Sequence, residues 1–205
     1  MQVKDLQQKD KRVRILAAAV KVFAERGFFT ATVAGIARAA GVADGTIYLY
    51  FESKEDLLVR LFEDKMSELL DKAKAALEKE PDASARLRRF IQLHFSLVEK
   101  EPDLAAVLIV ELRQSELVKG LEKAKLAAYL DLIAEVVREG QASGQFARDA
   151  SPAVVKRAVF GALDELALGW LLSGRKSPLK KAAQEVATLF VRGLLAHPPK
   201  NGAVP

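Results

Sequence analysis

The chain has 205 residues, half of them hydrophobic, enough for one small domain and a larger apolar core. It contains no cysteine, which excludes disulfides, thiolate metal sites and cysteine nucleophiles, and no run near the roughly 18 apolar residues that a bilayer span needs. The formal net charge is +5, of which +3 falls within residues 1–60, a balance that suits a polyanion or an anionic membrane surface.

The first fourteen residues mix charges and amides and read as frayed to about Lys9; Lys9, Lys11, Arg12 and Arg14 are within reach of phosphates or solvate a helix start. No apolar signal-peptide core follows, so a cytoplasmic location is expected. Leu16, Ala19, Val20 and Phe23 then form one helical stripe that Gly27 ends. Thr32 is placed as an N-cap for a short helix with Val33, Ile36, Ala37 and Ala40 on one face, and Gly41 is the usual stop. Val42 plugs the turn, and Asp44 is expected to cap a second short helix running through Tyr50. Two helices joined by a tight glycine-containing turn form the helix-turn-helix unit that enters DNA grooves.

Gly45 costs a helix about 1 kcal/mol relative to alanine, so its presence suggests close backbone approach to a partner. The phenols of Tyr48 and Tyr50 suit phosphate oxygens and thymine methyls, while Phe51 is the better candidate to bury. Ser53 and Asp56 imitate a capping box, and Lys54 falls where an ammonium and a helix N-terminus could hold a phosphate together.

From residue 53 onward the pattern is helix after helix. A long charged helix spans 53–79, followed by 83–100, 103–114, 117–142, a helix opened by Ser151 and Pro152 that runs to about residue 173, and a last one from Pro178 to about Ala196; HPPKNGAVP is a disordered tail. The expected fold is all-α with about nine helices. Residues 1–52 form a three-helix DNA-binding domain, and residues 53–205 a ligand-binding and dimerisation domain.

Val155, Ala162 and Leu166 line one side of the penultimate helix, and Val186, Phe190 and Leu194 the last. Both faces cover either a twin subunit or the chain's own core. Phe62, Met66, Phe90, Leu97, Leu108, Leu112, Phe160 and Trp170 line a pocket between helices or fill that core. Arg113 and Asp164, set in apolar runs, must be paired or open onto a cavity. An acyl-CoA hydrolase or carrier could use His94 with Ser96 or Glu99, but Ser96 faces away at i+2 and no GxSxG elbow occurs. No catalytic or metal site is assigned.

The segment TVAGIARAAGVADGTIYLYFESKEDL, within residues 10–60, resembles the DNA-binding domain of the TetR family of bacterial repressors. The resemblance implies that Thr32, Gly45, Thr46, Tyr48, Tyr50 and Lys54 contact duplex DNA. Val33, Ala34 and Gly35 depart from the hydroxyl or basic residues found there in many members, which shifts base reading to Gly45–Tyr50. In this family the last two helices form a four-helix bundle with a twin, giving a homodimer on a palindromic operator. HFSLVEKEPDLAAVLIVELRQSE and FGALDELALGWLL are similar to the family's fatty-acid-degradation regulators, which long-chain acyl-CoA releases from DNA. That likeness implies a repressor, not an enzyme, with a medium- or long-chain acyl-CoA effector and no cofactor or membrane partner. The acyl chain would lie among the large apolar residues named above, and Arg86, Arg89 and Arg113 would be candidates for the CoA phosphates. A repressor of efflux genes that senses another amphipathic compound is the alternative within the family.

Overall fold

The computed structural model describes residues 2–111 and 123–196. Among them are nine helices: α1 (Gln2–Arg26), α2 (Val33–Ala40), α3 (Asp44–Ile47), α4 (Lys54–Leu77), α5 (Ala83–Lys100), α6 (Pro102–Ala106, continuing as a π-helical stretch Val107–Glu111), α7 (Lys123–Ala142), α8 (Pro152–Leu172) and α9 (Leu179–Leu194). The one extended pairing among these residues is an isolated bridge between Phe146 and Leu195. Helix α1 begins at Gln2, well before the expected Lys9. The glutamines, lysines and Leu6 of that stretch are good helix formers with no breaker among them. The expected tail and most of the segment between α6 and α7 lie outside the described residues.

Contacts divide the chain into two units, Met1–Ser67 with Glu101–Ala124, and Glu68–Lys100 with Lys125–Pro205. The first is built on α1. Its Ile15, Ala19 and Phe23 face Ile36 and Ala37 of α2, Ile47 of α3, Phe51, and Leu57 and Leu61 of α4 in a single apolar cluster. Each of these large side chains contributes about 1.5–3 kcal/mol by leaving water. The same cluster takes in Leu104 and Val107 of α6, with Leu108 packed against it, and α6 lies along α1. A segment expected to serve the ligand domain thus completes the core beneath the helix-turn-helix.

In the second unit α5 packs along α9 and α8, and α9 along α8. Leu87, Phe90, Ile91 and Phe95 of α5, Ile133 and Val137 of α7, Val159 and Leu163 of α8, and Ala183, Ala187 and Val191 of α9 are buried. Helix α7 runs straight through Gly140, where a Cβ would stand only 2.2 Å from the Phe146 ring, so the glycine is there for packing and not to end the helix. Pro178 offers α9 no side-chain cap; instead Glu99, eighty positions earlier, accepts the Leu179 N–H at 2.5 Å. A carboxylate at a helix N-terminus is favoured by both the unpaired N–H groups and the helix dipole.

Candidate nucleic-acid interface and effector core

The reading helix is held in place from several sides. Thr32 is extended (φ −116°, ψ 150°), and its Oγ1 accepts the Gly35 N–H at 3.1 Å, closing the N-terminus of α2. At the other end Gly41 takes φ 65°, a conformation that any Cβ would strain, and the Val42 N–H reaches back to the Ala37 carbonyl at 3.0 Å. Arg14 of α1 donates to the Ala40 carbonyl at 2.7 Å, and Arg12 pairs with Asp64 at 2.6 Å while lying over the Phe51 ring. Through these contacts both arginines brace the fold.

Helix α3 is a single turn. Its N-cap is Ala43, and Asp44, expected to cap it, falls inside the first turn, where its charge still suits the helix N-terminus. Beyond Ile47 the chain continues in tighter turns, with Leu49 N–H to Thr46 at 3.2 Å and Tyr50 N–H to Ile47 at 3.0 Å. The glycine at 45 and the β-branched Thr46 and Ile47 are weak helix formers, which explains why the expected helix stops short of Tyr50.

Ile47 and Phe51 anchor this segment in the core and leave Tyr48, 59% exposed, and Leu49, 80% exposed, on its outer side. Gly45 is also exposed, has no positive φ, and would accommodate a Cβ with nothing within 4 Å, so the fold gives no reason for a glycine there. Thr32 is exposed and Thr46 half-buried. Tyr50 is half-buried, packed on the core with its ring 6.5 Å from that of Phe51. Leu49, more exposed than Tyr48, is not singled out by its sequence because an isolated leucine reads as a core residue.

Lys54 departs from expectation. Its Nζ donates to the carbonyls of Phe28 at 2.8 Å, Ala31 at 3.0 Å and Phe29 at 3.3 Å, and lies 4.5 Å from the centre of the Phe28 ring. An ammonium has three N–H donors, so all are committed to the turn between α1 and α2, and none is left for a phosphate. The capping at Ser53 does form: its Oγ accepts the Asp56 N–H at 3.0 Å, while Asp56 accepts the Glu52 N–H at 3.1 Å.

In the second unit, rings gather around a polar pair, the half-buried His94 and the buried Tyr129. His94 of α5 places Nδ1 3.2 Å from the Tyr129 hydroxyl of α7. Phe90 lies 4.8 Å from Tyr129, and Phe160 6.2 Å from His94, between ring centres. Burial lowers the His94 pKa to about 4 and raises that of Tyr129, because each charged form would lose its water. Both are neutral near pH 7. Tyr129 was missed because one tyrosine in a helical stripe carries no local mark of a polar partner. His94 has this partner and not the Ser96 or Glu99 that a hydrolytic reading would need; Glu99 is occupied at the start of α9.

The remaining candidates separate. Phe62, Met66 and Phe90 are buried, and Leu97 and Phe160 half-buried. Leu108 packs on the first unit's core, not among the rings of the second. Trp170 is a clip for the turn after α8, its indole N–H donating to the Ser177 carbonyl at 2.6 Å. Arg86 is tied to Glu139 and to the Glu80 carbonyl, so it clasps α5 to α7, and Arg89 lies 3.8 Å from Glu80. Leu112 and Arg113 lie outside the described residues, so the pairing of Arg113 with the buried Asp164 does too. Of the expected interface positions, Val186 and Leu194 are buried within their own chain, Val155, Ala162 and Phe190 are half-buried, and Leu166 is exposed. Helical phase explains the difference: the outward positions are one step round, at Val154, Leu172 and Leu189, alongside exposed Ala158, Gly161, Gly169 and Gly193.

A short outward-facing helix held at a fixed angle on a three-helix core, in a chain with a second helical unit, defines a DNA-binding regulator of the helix-turn-helix class. Residues 15–61 match the family described as bacterial regulatory proteins, tetR family, and residues 62–193 match the family described as YsiA-like protein, C-terminal region. The chain belongs to the TetR family of transcriptional regulators. It is 35% identical over 189 residues to the fatty acid metabolism regulator protein of Bacillus subtilis, covering 92% of this chain and 97% of that one. Among solved structures it is similar to FadR from Bacillus subtilis in complex with stearoyl-CoA (TM-score 0.84, 36% identity, 89% of this chain and 98% of the other). It is also similar to the fatty acid degradation regulator FadR from Bacillus halodurans (TM-score 0.83, 38% identity, 88% and 98%). Among the described residues no helix is long and apolar enough to cross a membrane, and no group of side chains is arranged to hold a metal ion.

Proposed function

We propose that this chain is a cytoplasmic repressor of fatty-acid-degradation genes, bound as a two-fold dimer to a near-palindromic operator and released by medium- or long-chain acyl-CoA. The observation that carries the reading is the likeness over nearly the whole chain to a regulator solved with stearoyl-CoA. The ring-lined interior of the second unit, where Phe90, Tyr129, His94 and Phe160 meet, supports an apolar guest.

On the DNA side, residues 1–52 do the reading. Tyr48 and Leu49 project furthest, and the glycine that the fold does not require at 45 lets a phosphate backbone come close. Thr32 and Thr46 supply hydroxyls, and Tyr50 sets the angle of the segment from within. Residues 53–205 carry effector binding and dimerisation. The exposed stripe Val154, Ala158, Gly161, Gly169 and Leu172 on α8 repeats at helical spacing, and its small residues let a second copy's helix approach. A two-fold dimer sets two reading helices about 34–36 Å apart, one helical turn of DNA.

Of the three places where the chain passes between the units, one lies at the start of α7 and two flank α5: α4, which runs through both units, and the short link from α5 into α6. An acyl chain entering beside α5 would shift both and change the separation of the reading helices, with coupling of about 1–3 kcal/mol typical of such systems. In a gel-shift titration with an operator selected from random sequence, saturating stearoyl-CoA abolishes the specific complex and free CoA does not. An unchanged shift at saturating stearoyl-CoA would overturn the reading.

A further inference from the structure

Inside the second unit two buried polar atoms, Ser84 Oγ and His94 Nε2, have no hydrogen-bond partner among the described residues, and the second lies among aromatic rings. His94 Nε2 is shut off from water, whereas Nδ1 of the same ring meets the Tyr129 hydroxyl. A phenol is the stronger donor of the two groups, so the Tyr129 O–H donates to Nδ1, and this assigns the ring proton to Nε2. The result is a neutral N–H donor on a ring flanked by Phe95 and Phe160, at ring-centre distances of 5.9 and 6.2 Å from the imidazole. Buried donors are normally paired, and one left open costs stability that a ligand's acceptor recovers.

A neutral acceptor suits this donor, because a phosphate or carboxylate would lose its hydration against the aromatic rings. That acceptor also has to be attached to something apolar enough to lie among those rings. In an acyl-CoA the thioester carbonyl is the acceptor joined directly to the alkyl chain, so an acyl chain lying here brings that oxygen with it. Resting on the acyl-CoA reading above, we propose that His94 Nε2–H donates a hydrogen bond to the effector's thioester carbonyl, and that Tyr129 is the positioning residue that keeps the proton on that nitrogen. The pair would then register where the chain ends and the CoA begins.

The test compares stearoyl-CoA with S-octadecyl-CoA, a thioether carrying CH2 where the carbonyl stands, by calorimetric titration of the full-length protein. The wild type is expected to bind the thioester roughly three- to tenfold more tightly, the worth of one net hydrogen bond. His94→Phe removes the preference by weakening the thioester alone. With a 13C-labelled thioester, the infrared carbonyl band lies at lower frequency on the wild type than on His94→Phe. Tyr129→Phe, which deletes a single oxygen and leaves the ring in place, is expected to shrink both the preference and the band shift, so the reasoning stays testable if His94→Phe fails to fold. Equal affinities on the wild type, or a band that neither variant moves, would overturn the assignment while leaving the acyl-CoA reading intact. Failure of both ligands to bind the wild type would sink that reading and this assignment with it.

Discussion

Replacing Lys54 by methionine separates two roles that its position in the sequence leaves entangled. The substitution keeps the apolar stem and removes the ammonium, with its bonds to the Phe28, Phe29 and Ala31 carbonyls and its contact with the Phe28 ring. The bonds to Phe28 and Ala31 are part-buried and charge-assisted, worth about 1.5 kcal/mol each at the low end. The bond to Phe29 is exposed and adds little, and the ring contact adds about 0.5–1 kcal/mol. Water reaching the abandoned carbonyls recovers some of this, which leaves a net loss of about 2–3 kcal/mol. For a chain of this size that corresponds to a fall in Tm of about 4–12 °C by circular dichroism. The companion assay is operator affinity against salt concentration, measured well below the lowered Tm. A lysine holding a phosphate contributes about one unit per chain to the slope of log affinity on log salt, and the committed ammonium predicts no such change. An unaltered Tm together with a slope reduced by about one per chain would refute the clamp and return Lys54 to the DNA.

Tyr48→Phe should weaken operator binding about three- to tenfold by fluorescence anisotropy, the loss of one hydroxyl–phosphate bond, with Tm unchanged because the side chain is mostly in solvent; equal affinity would remove the hydroxyl from the interface. Gly140→Ala places a Cβ 2.2 Å from the Phe146 ring, and overpacking of this kind costs about 1–3 kcal/mol or more, so urea denaturation should show an earlier midpoint; an unshifted curve would mean the ring has room to move.

What the sequence made legible is local. Thr32 and Ser53 were readable as caps, and Gly41 as a left-handed stop, because each acts on backbone groups within a few positions. The all-helical order followed from apolar periodicity in the same way. Errors arose where a side chain's partner is distant in the chain. Lys54 finds its acceptors 23 to 26 positions earlier, Glu99 reaches α9 across 80, and His94 meets Tyr129 across 35. Leu108 fits a ligand pocket by composition, and only the packing of α6 on α1 shows it beside the helix-turn-helix core. Asp44 misled for another reason: an aspartate in the first turn and one at the cap look alike in sequence, and the backbone chose Ala43.

The presence of Leu104 and Val107 in that core bears on how such proteins can be recombined. The DNA-reading head is not a contiguous stretch that can be cut after α4 and grafted elsewhere. Its floor is laid by residues that come after α5, so a chimera exchanging operator specificity between relatives must carry α6 along, or match its side chains, to keep the head's apolar underside covered. Where natural lineages have traded heads, the seam is therefore expected as two correlated exchanges in sequence, one on either side of α5.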